Sequence, residues 1–227
     1  MKNVLIAGAS GMVGNIVLDH CLSSSKINKV ISLVRNKSNN SHPKLKEVLI
    51  ENFTEYANHW DLFKNIDSAF FCIGVYTGSV SDKLFKEITV DYAVSFAKIL
   101  KANSPDAKLC LLSGAGADRT EKSKTSFALY KGMAENQIDT LGLEFYAFRP
   151  GYIYPVEPRK EPNFMYSILR TLYPMLRLLG SNFSIKSTEL AKAMYEIGIN
   201  GTDKKILENK DLIHFLKEQS EHKWTKN

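Results

Sequence analysis

The stretch SFALYKGMAEN, Ser126 to Asn136, sets a tyrosine directly beside Lys131 and a phenylalanine one helical turn before it. Residues four apart share a helix face, whereas chain neighbours point about 100° away from each other. Phe127, and not Tyr130, is therefore in line with the lysine. An ammonium has three N–H donors for the hydroxyls or charge of a ligand, and a phenolic O–H can pass a proton. A phenyl ring can do neither. Tyr130 lies about 60° around the helix from Phe127, so a modest rotation or a different ligand pose brings its hydroxyl in. The other reading of Tyr130 is a packing residue with a wet tip.

A second group of residues suits phosphate. AGASGMVG places Gly8, Gly11 and Gly14 where an apolar run, Lys2 to Ala7, gives way to the helical spacing of Val13, Ile16, Val17 and Cys21. Glycines let the chain turn sharply and bring backbone N–H groups close to a diphosphate, and a helix N-terminus favours negative charge. The spacing is GxxGxxG rather than GxGxxG, but the strand before and the helix after supply the context. A dinucleotide along Gly8, Ala9, Ser10, Gly11, Met12 and Val13 is expected in preference to a merely tight turn. The next strand, KVISLVR, ends in Arg35 where an NAD-preferring site carries an acid. An arginine can instead stack on adenine and contact a 2′-phosphate, which points to NADP ahead of NAD; the alternative is a solvated strand-end residue. Asn52, after the third strand, is placed for adenine. Cys72, Ile73 and Gly74, ending the fourth, are placed to pass under the ribose, and core burial is equally consistent for these three.

These groups need a scaffold that gathers strand ends. Further apolar runs follow at Lys46 to Asn52, Ser68 to Gly74, Ala107 to Gly114 and Leu143 to Gly151, with helical periodicity between them in YANHWDLFKN and ITVDYAVSFAKILKAN. Near-continuous apolar strands separated by helices predict an α/β fold, a Rossmann-type doubly wound parallel sheet with helices on both faces. After Gly151 the alternation breaks: Tyr152 to Pro162 holds three prolines, and Phe164 to Gly180 reads as an apolar helix interrupted at Pro174. Ser187 to Asn200 reads as a helix, and KKILENKDLIHFLKEQS as a last strand and helix. The expected organisation is one dinucleotide-binding domain over 1–227, with 152–185 as a small C-terminal cap over the strand ends.

The chain has 227 residues, enough for one large α/β domain, and a net charge of +6. Its lysines are spread without a basic-aromatic block, so no nucleic-acid partner is expected, while a phosphate-bearing ligand gains from the charge. No apolar run reaches the roughly 20 residues of a membrane span, which gives a cytoplasmic expectation. Arg170 and Arg177, seven apart in the apolar segment, could place a helix on an anionic surface; core packing or dimer formation is the preferred reading. Cys21, Cys72 and Cys110 are isolated among apolar residues and read as buried thiols rather than metal ligands or disulfides.

VLIAGASGMVG, LLSGAGAD, LYKGMAEN and FRPGYIYP, in that order, resemble the atypical short-chain dehydrogenase/reductase superfamily, and within it the small Tat-interacting-protein-like oxidoreductases. The resemblance spans nearly the whole chain. It implies a catalytic serine, tyrosine and lysine: the tyrosine protonates a nascent alkoxide, the lysine lowers the tyrosine pKa and binds nicotinamide ribose, and the serine orients the carbonyl. Matched residue by residue, Ser113 and Lys131 take the serine and lysine places, and Phe127 takes the tyrosine place. Gly114 stands where small members often carry a second serine. Pro150, Gly151, Tyr152 and Ile153 are expected beside the nicotinamide, and Arg149 is expected to pair within the fold.

Two functions follow from this. One is an NADP(H)-dependent oxidoreductase or epimerase acting on a small carbonyl or hydroxyl substrate, with Ser113, Tyr130, Lys131 or water carrying the proton chemistry. The other is a dinucleotide-binding redox sensor or regulatory protein without turnover. A monomer or homodimer suits either.

Overall fold

The computed structural model describes residues 1–38, 40–157 and 183–224. Nine strands occur among them: β1 (Lys2–Ala7), β2 (Ile27–Val34), β3 (Leu45–Leu49), β4 (Ser68–Phe71), β5 (Lys108–Leu112), β6 (Glu144–Arg149), β7 (Tyr152–Tyr154), β8 (Ser184–Lys186) and β9 (Ile206–Glu208). Seven form one sheet in the order β3-β2-β1-β4-β5-β6-β9, every neighbouring pair parallel. β7 and β8 form a separate two-stranded parallel ladder that sequence periodicity did not signal. The helices are α1 (Met12–Ser23), α2 (Asp82–Lys86), α3 (Tyr92–Asn103), α4 (Ser126–Asp139), α5 (Ser187–Asn200) and α6 (Asn209–Trp224).

The apolar runs become central strands because both sheet faces are covered. On β1, Leu5 and Ala7 face a core that contains Phe96 and Ala97 of α3 and Ala134 and Ile138 of α4. Val4 and Ile6 face a second core with Val17 of α1 and Met194 and Ile197 of α5. Side chains alternate along a strand, so only apolar residues at successive positions can satisfy both cores. Cys21, Cys72 and Cys110 lie buried as free thiols, as expected. The doubly wound architecture with helices on both faces is the one read from the sequence.

Two segments depart from expectation. YANHWDLFKN forms a 3₁₀ segment, Ala57–Phe63, kinked at His59 (φ −125°, ψ 20°); so short a piece cannot sustain an α-helix alone. The helix expected from Ile88 begins instead with α2 and a π-helical turn, Glu87–Asp91, leading into α3. Most of the expected cap, 158–182, with the apolar helix, Arg170 and Arg177, lies outside the described residues. No helix among the described residues is long and apolar enough to cross a membrane.

Candidate functional site

The sheet order reverses between β1 and β4, where successive connections run to opposite sides and leave a crevice beyond the strand ends. The glycine turn sits at that point. Gly8 adopts φ 89°, and a Cβ on it would lie 2.7 Å from the Cys72 carbonyl carbon. A Cβ on Gly14 would lie 2.2 Å from Gly8 O. Glycine is thus required twice, once for the left-handed turn against β4 and once for the close seating of α1. Gly11 N–H donates to Gly8 O at 3.0 Å, and Asn15 N–H to Gly11 O at 2.9 Å is the first bond of the helix. Gly11 is the N-cap and supplies no side-chain acceptor, so the N–H groups of the first turn are left for a ligand.

Gly11, Met12 and Val13 line one side of a cleft of about 620 Å³, and Cys72, Ile73 and Gly74 continue it. Ser113, Gly114, Phe127 and Lys131 also line it, as do Pro150, Gly151, Tyr152 and Ile153, which follow β6, the contributing strand farthest from the glycine turn. Residues singled out in four separate stretches of sequence therefore meet in one cavity. Gly8 and Ala9 lie behind it, Ala9 buried against α1, and Ser10 is exposed in the turn. Arg35 follows β2, whose Leu33 pairs with Ala7, so its backbone leaves the sheet next to the strand that carries the glycine turn, and its exposed side chain does not line the cleft. Asn52 is also outside the lining: its Oδ1 accepts the N–H and hydroxyl of Thr54 at 2.9 and 2.7 Å, closing its own turn.

Lys131 and Glu135, one helical turn apart on α4, face the sheet. Lys131 is buried, and its Nζ donates to Leu112 O at 3.0 Å. Burial takes the ammonium down to about 8, against the charge of Glu135, which works the other way. Glu135 is fully buried and collects three donors. Ser113 Oγ donates to its Oε1 at 2.5 Å, Arg149 Nε to Oε1 at 3.0 Å and Arg149 Nη2 to Oε2 at 2.5 Å. Arg149 Nη1 reaches Glu208 Oε1 at 2.9 Å. The glutamate of KGMAE and the arginine of RPG are thus partners, and Arg149 pairs within the fold as expected. The role of Glu135 was missed in the sequence; its i,i+4 spacing from Lys131 was the available signal.

Phe127 and Gly114 meet end on. A Cβ on Gly114 would lie 2.4 Å from Phe127 Cζ and nearly equally far, 3.2 and 3.4 Å, from the two Cε atoms. That point lies along the long axis of the ring, where a para-hydroxyl would project. Tyr130 points elsewhere: its hydroxyl donates to Asp82 Oδ2 at 2.6 Å, its ring lies 5.9 Å from Phe85, and it does not line the cleft. Hydrogen bonds from Ser126 and Tyr130 hold the Asp82 carboxyl below its usual range.

At the cleft end, Gly151 N–H donates to Asn209 Oδ1 at 2.8 Å and Tyr152 N–H to Phe183 O at 2.9 Å. Two backbone donors of the turn after β6 are thus engaged by the fold. Buried Asn209 also donates to Ser184 O at 3.0 Å. Tyr76 and Thr77, between β4 and α2, line the cleft and were not singled out from sequence. Among the described residues no group of three or more His, Cys, Asp or Glu is placed to hold a metal ion.

A parallel sheet of this order, with a glycine turn at its crossover, is a Rossmann-like α/β fold, and solved structures share it. Gre2 of Candida albicans in complex with NADPH superposes with a TM-score of 0.70 at 13% identity, covering 91% of this chain and 77% of that one. The Bordetella bronchiseptica enzyme WbmH in complex with NAD+ gives 0.68 at 16% identity, covering 91% and 74%. In sequence, the chain is similar to protein HTATIP2 of Rattus norvegicus, 25% identical over 226 residues, with 96% of this chain and 90% of the relative covered. It is also 23% identical over 232 residues to the mitochondrial protein FMP52 of Eremothecium gossypii, with 96% and 99% covered. The resemblance read from the four motifs is borne out by these relatives. No protein-family model matches the chain.

Proposed function

We propose that the chain binds a nicotinamide dinucleotide along the glycine turn and across the cleft, NADP(H) in preference to NAD(H), as an oxidoreductase- or epimerase-like protein of the cytosol. The observation that carries this is the first turn of α1, capped by a glycine without a side-chain acceptor and opening into the cleft beside β4. Its backbone donors suit a diphosphate. Arg35, exposed at the end of the strand next to β1, suits a 2′-phosphate. Lys131, buried at the cleft wall, would hold the nicotinamide-ribose hydroxyls, and Ser113 would face a second ligand. The dinucleotide would supply hydride transfer; orientation, water exclusion and proton handling fall to the chain.

Phe127 stands in the tyrosine place of the resembling family, so the proton donor of ordinary carbonyl reduction is missing there. Tyr130 could substitute only by leaving Asp82. This favours a second reading, a dinucleotide-binding regulatory protein without turnover. Calorimetric titration with NADPH and NADH, on wild type and Arg35→Ala, tests the common part. Micromolar binding with NADPH preferred, and the preference lost in the variant, is the expected result; binding of neither would remove both readings. Turnover of carbonyl compounds with NADPH, lost in Lys131→Ala, then separates the enzyme from the regulator.

A further inference from the structure

We propose that Ser113 meets its ligand as a hydrogen-bond acceptor, held in that role by Glu135, so that the cleft takes a hydroxyl-bearing molecule in preference to the corresponding carbonyl compound. The inference rests on the dinucleotide reading and names the class of second ligand which that reading leaves open.

A serine hydroxyl has one proton and two lone pairs. The Ser113 proton is directed at Glu135 Oε1, 2.5 Å away. Glu135 is fully buried and paired with both Arg149 Nε and Nη2, while Arg149 is anchored on its other side by Glu208. A carboxylate fixed in this way has acceptors and no proton to give. What Ser113 turns toward the cleft is therefore lone-pair density, and the group that satisfies it is an O–H.

A carbonyl oxygen in the same place would set lone pair against lone pair. Of the cleft-lining side chains that carry a hydroxyl donor, Tyr76, Thr77 and Tyr152 belong to other segments, and the residues grouped with Ser113 do not make up the missing one. Phe127 and Gly114 carry none, the Tyr130 hydroxyl is with Asp82, and Lys131 is assigned to the dinucleotide. The family resemblance implies a serine that donates to a carbonyl; here its proton is already committed, and Glu135 is the positioning residue that commits it. A buried polar atom facing a ligand that cannot complete its hydrogen bond discriminates strongly between otherwise isosteric molecules.

The test is a matched pair, cyclohexanol and cyclohexanone, titrated by ligand-observed NMR into the protein saturated with NADP+ and, separately, with NADPH. The alcohol is expected to bind at least about tenfold more tightly in both forms. Ser113→Ala should bring the two ligands within about twofold. Glu135→Gln, whose amide N–H can point at Ser113 and release its proton toward the cleft, should shrink or invert the ratio. A general loss of packing would not invert it. Equal binding, ketone preference, binding of neither ligand to a dinucleotide-loaded protein, or an unchanged ratio in both variants would overturn the proposal. A protein that does not bind the dinucleotide at all fails earlier, in the preceding titration, and takes this inference with it.

Discussion

Gly114 and Phe127 occupy one another's missing atoms: the Cβ that glycine lacks would fall 2.4 Å from Phe127 Cζ, on the line a tyrosine hydroxyl would follow. The two residues are therefore sterically coupled. Gly114→Ala should cost about 1–3 kcal/mol in urea unfolding, because the ring has to give way. Most of that cost should vanish when Phe127→Ala is made as well, a coupling between contacting residues that a double-mutant cycle reads directly. Phe127→Tyr alone should be destabilised to a similar degree, because its hydroxyl would project onto Gly114.

The Glu135 and Arg149 pair predicts an asymmetric response. Arg149→Met leaves a fully buried carboxylate without its main counter-charge and should cost about 3–5 kcal/mol. Ser113→Ala removes one hydrogen bond to a charged group that keeps its arginine, at about 1.5–3 kcal/mol. Urea midpoints of the two variants rank them, and the reverse order would mean that Arg149 is not what balances Glu135.

Lys131 gives a pH signature. Its folded value, about 8, lies below its ordinary 10.5, so between these values the unfolded chain binds more protons than the folded one. Stability from this residue therefore rises with pH across that window, by at most about 1.4 kcal/mol per pH unit, and is flat below it, where both states are protonated. The difference in unfolding free energy between wild type and Lys131→Met, followed from pH 7 to about 10.5, should show that rise. A flat difference would place the ammonium in a better-solvated setting than its burial indicates.

Gly8→Ala tests the turn itself. The added methyl meets the Cys72 and Ile73 backbone at 2.7–2.8 Å with φ at 89°. Strain of about 1–3 kcal/mol is expected, together with loss of measurable NADPH binding in calorimetry, since the turn that aims the first N–H groups of α1 is displaced. Retained affinity would locate the diphosphate elsewhere.

The sheet was legible because burial on both faces leaves an uninterrupted apolar run as its trace, and the six runs through FYAFR, with a seventh strand before the last helix, became its strands. The glycine turn was legible because its φ and close approaches exclude side chains. The Gly114 and Phe127 contact was not: each residue stood out against the family pattern, but their meeting depends on how α4 docks on β5. Glu135 was hidden for a similar reason, since a charged residue in a helix reads as solvent-facing until the fold brings Arg149 to it. Asn52 and Tyr130 were placed by sequence position, which does not reveal that Thr54 and Asp82 occupy their polar atoms.

Asn209 stands at the start of α6, takes the N–H of Gly151 and gives its own amide to Ser184. A residue 58 positions downstream thus sets the backbone at the end of the cleft. The last helix works as a strut rather than an appendage: α6 cannot swing away without releasing both the Pro150 turn and the small β7–β8 ladder. Loosening at this remote end would therefore be transmitted to the far wall of the cleft through one side chain.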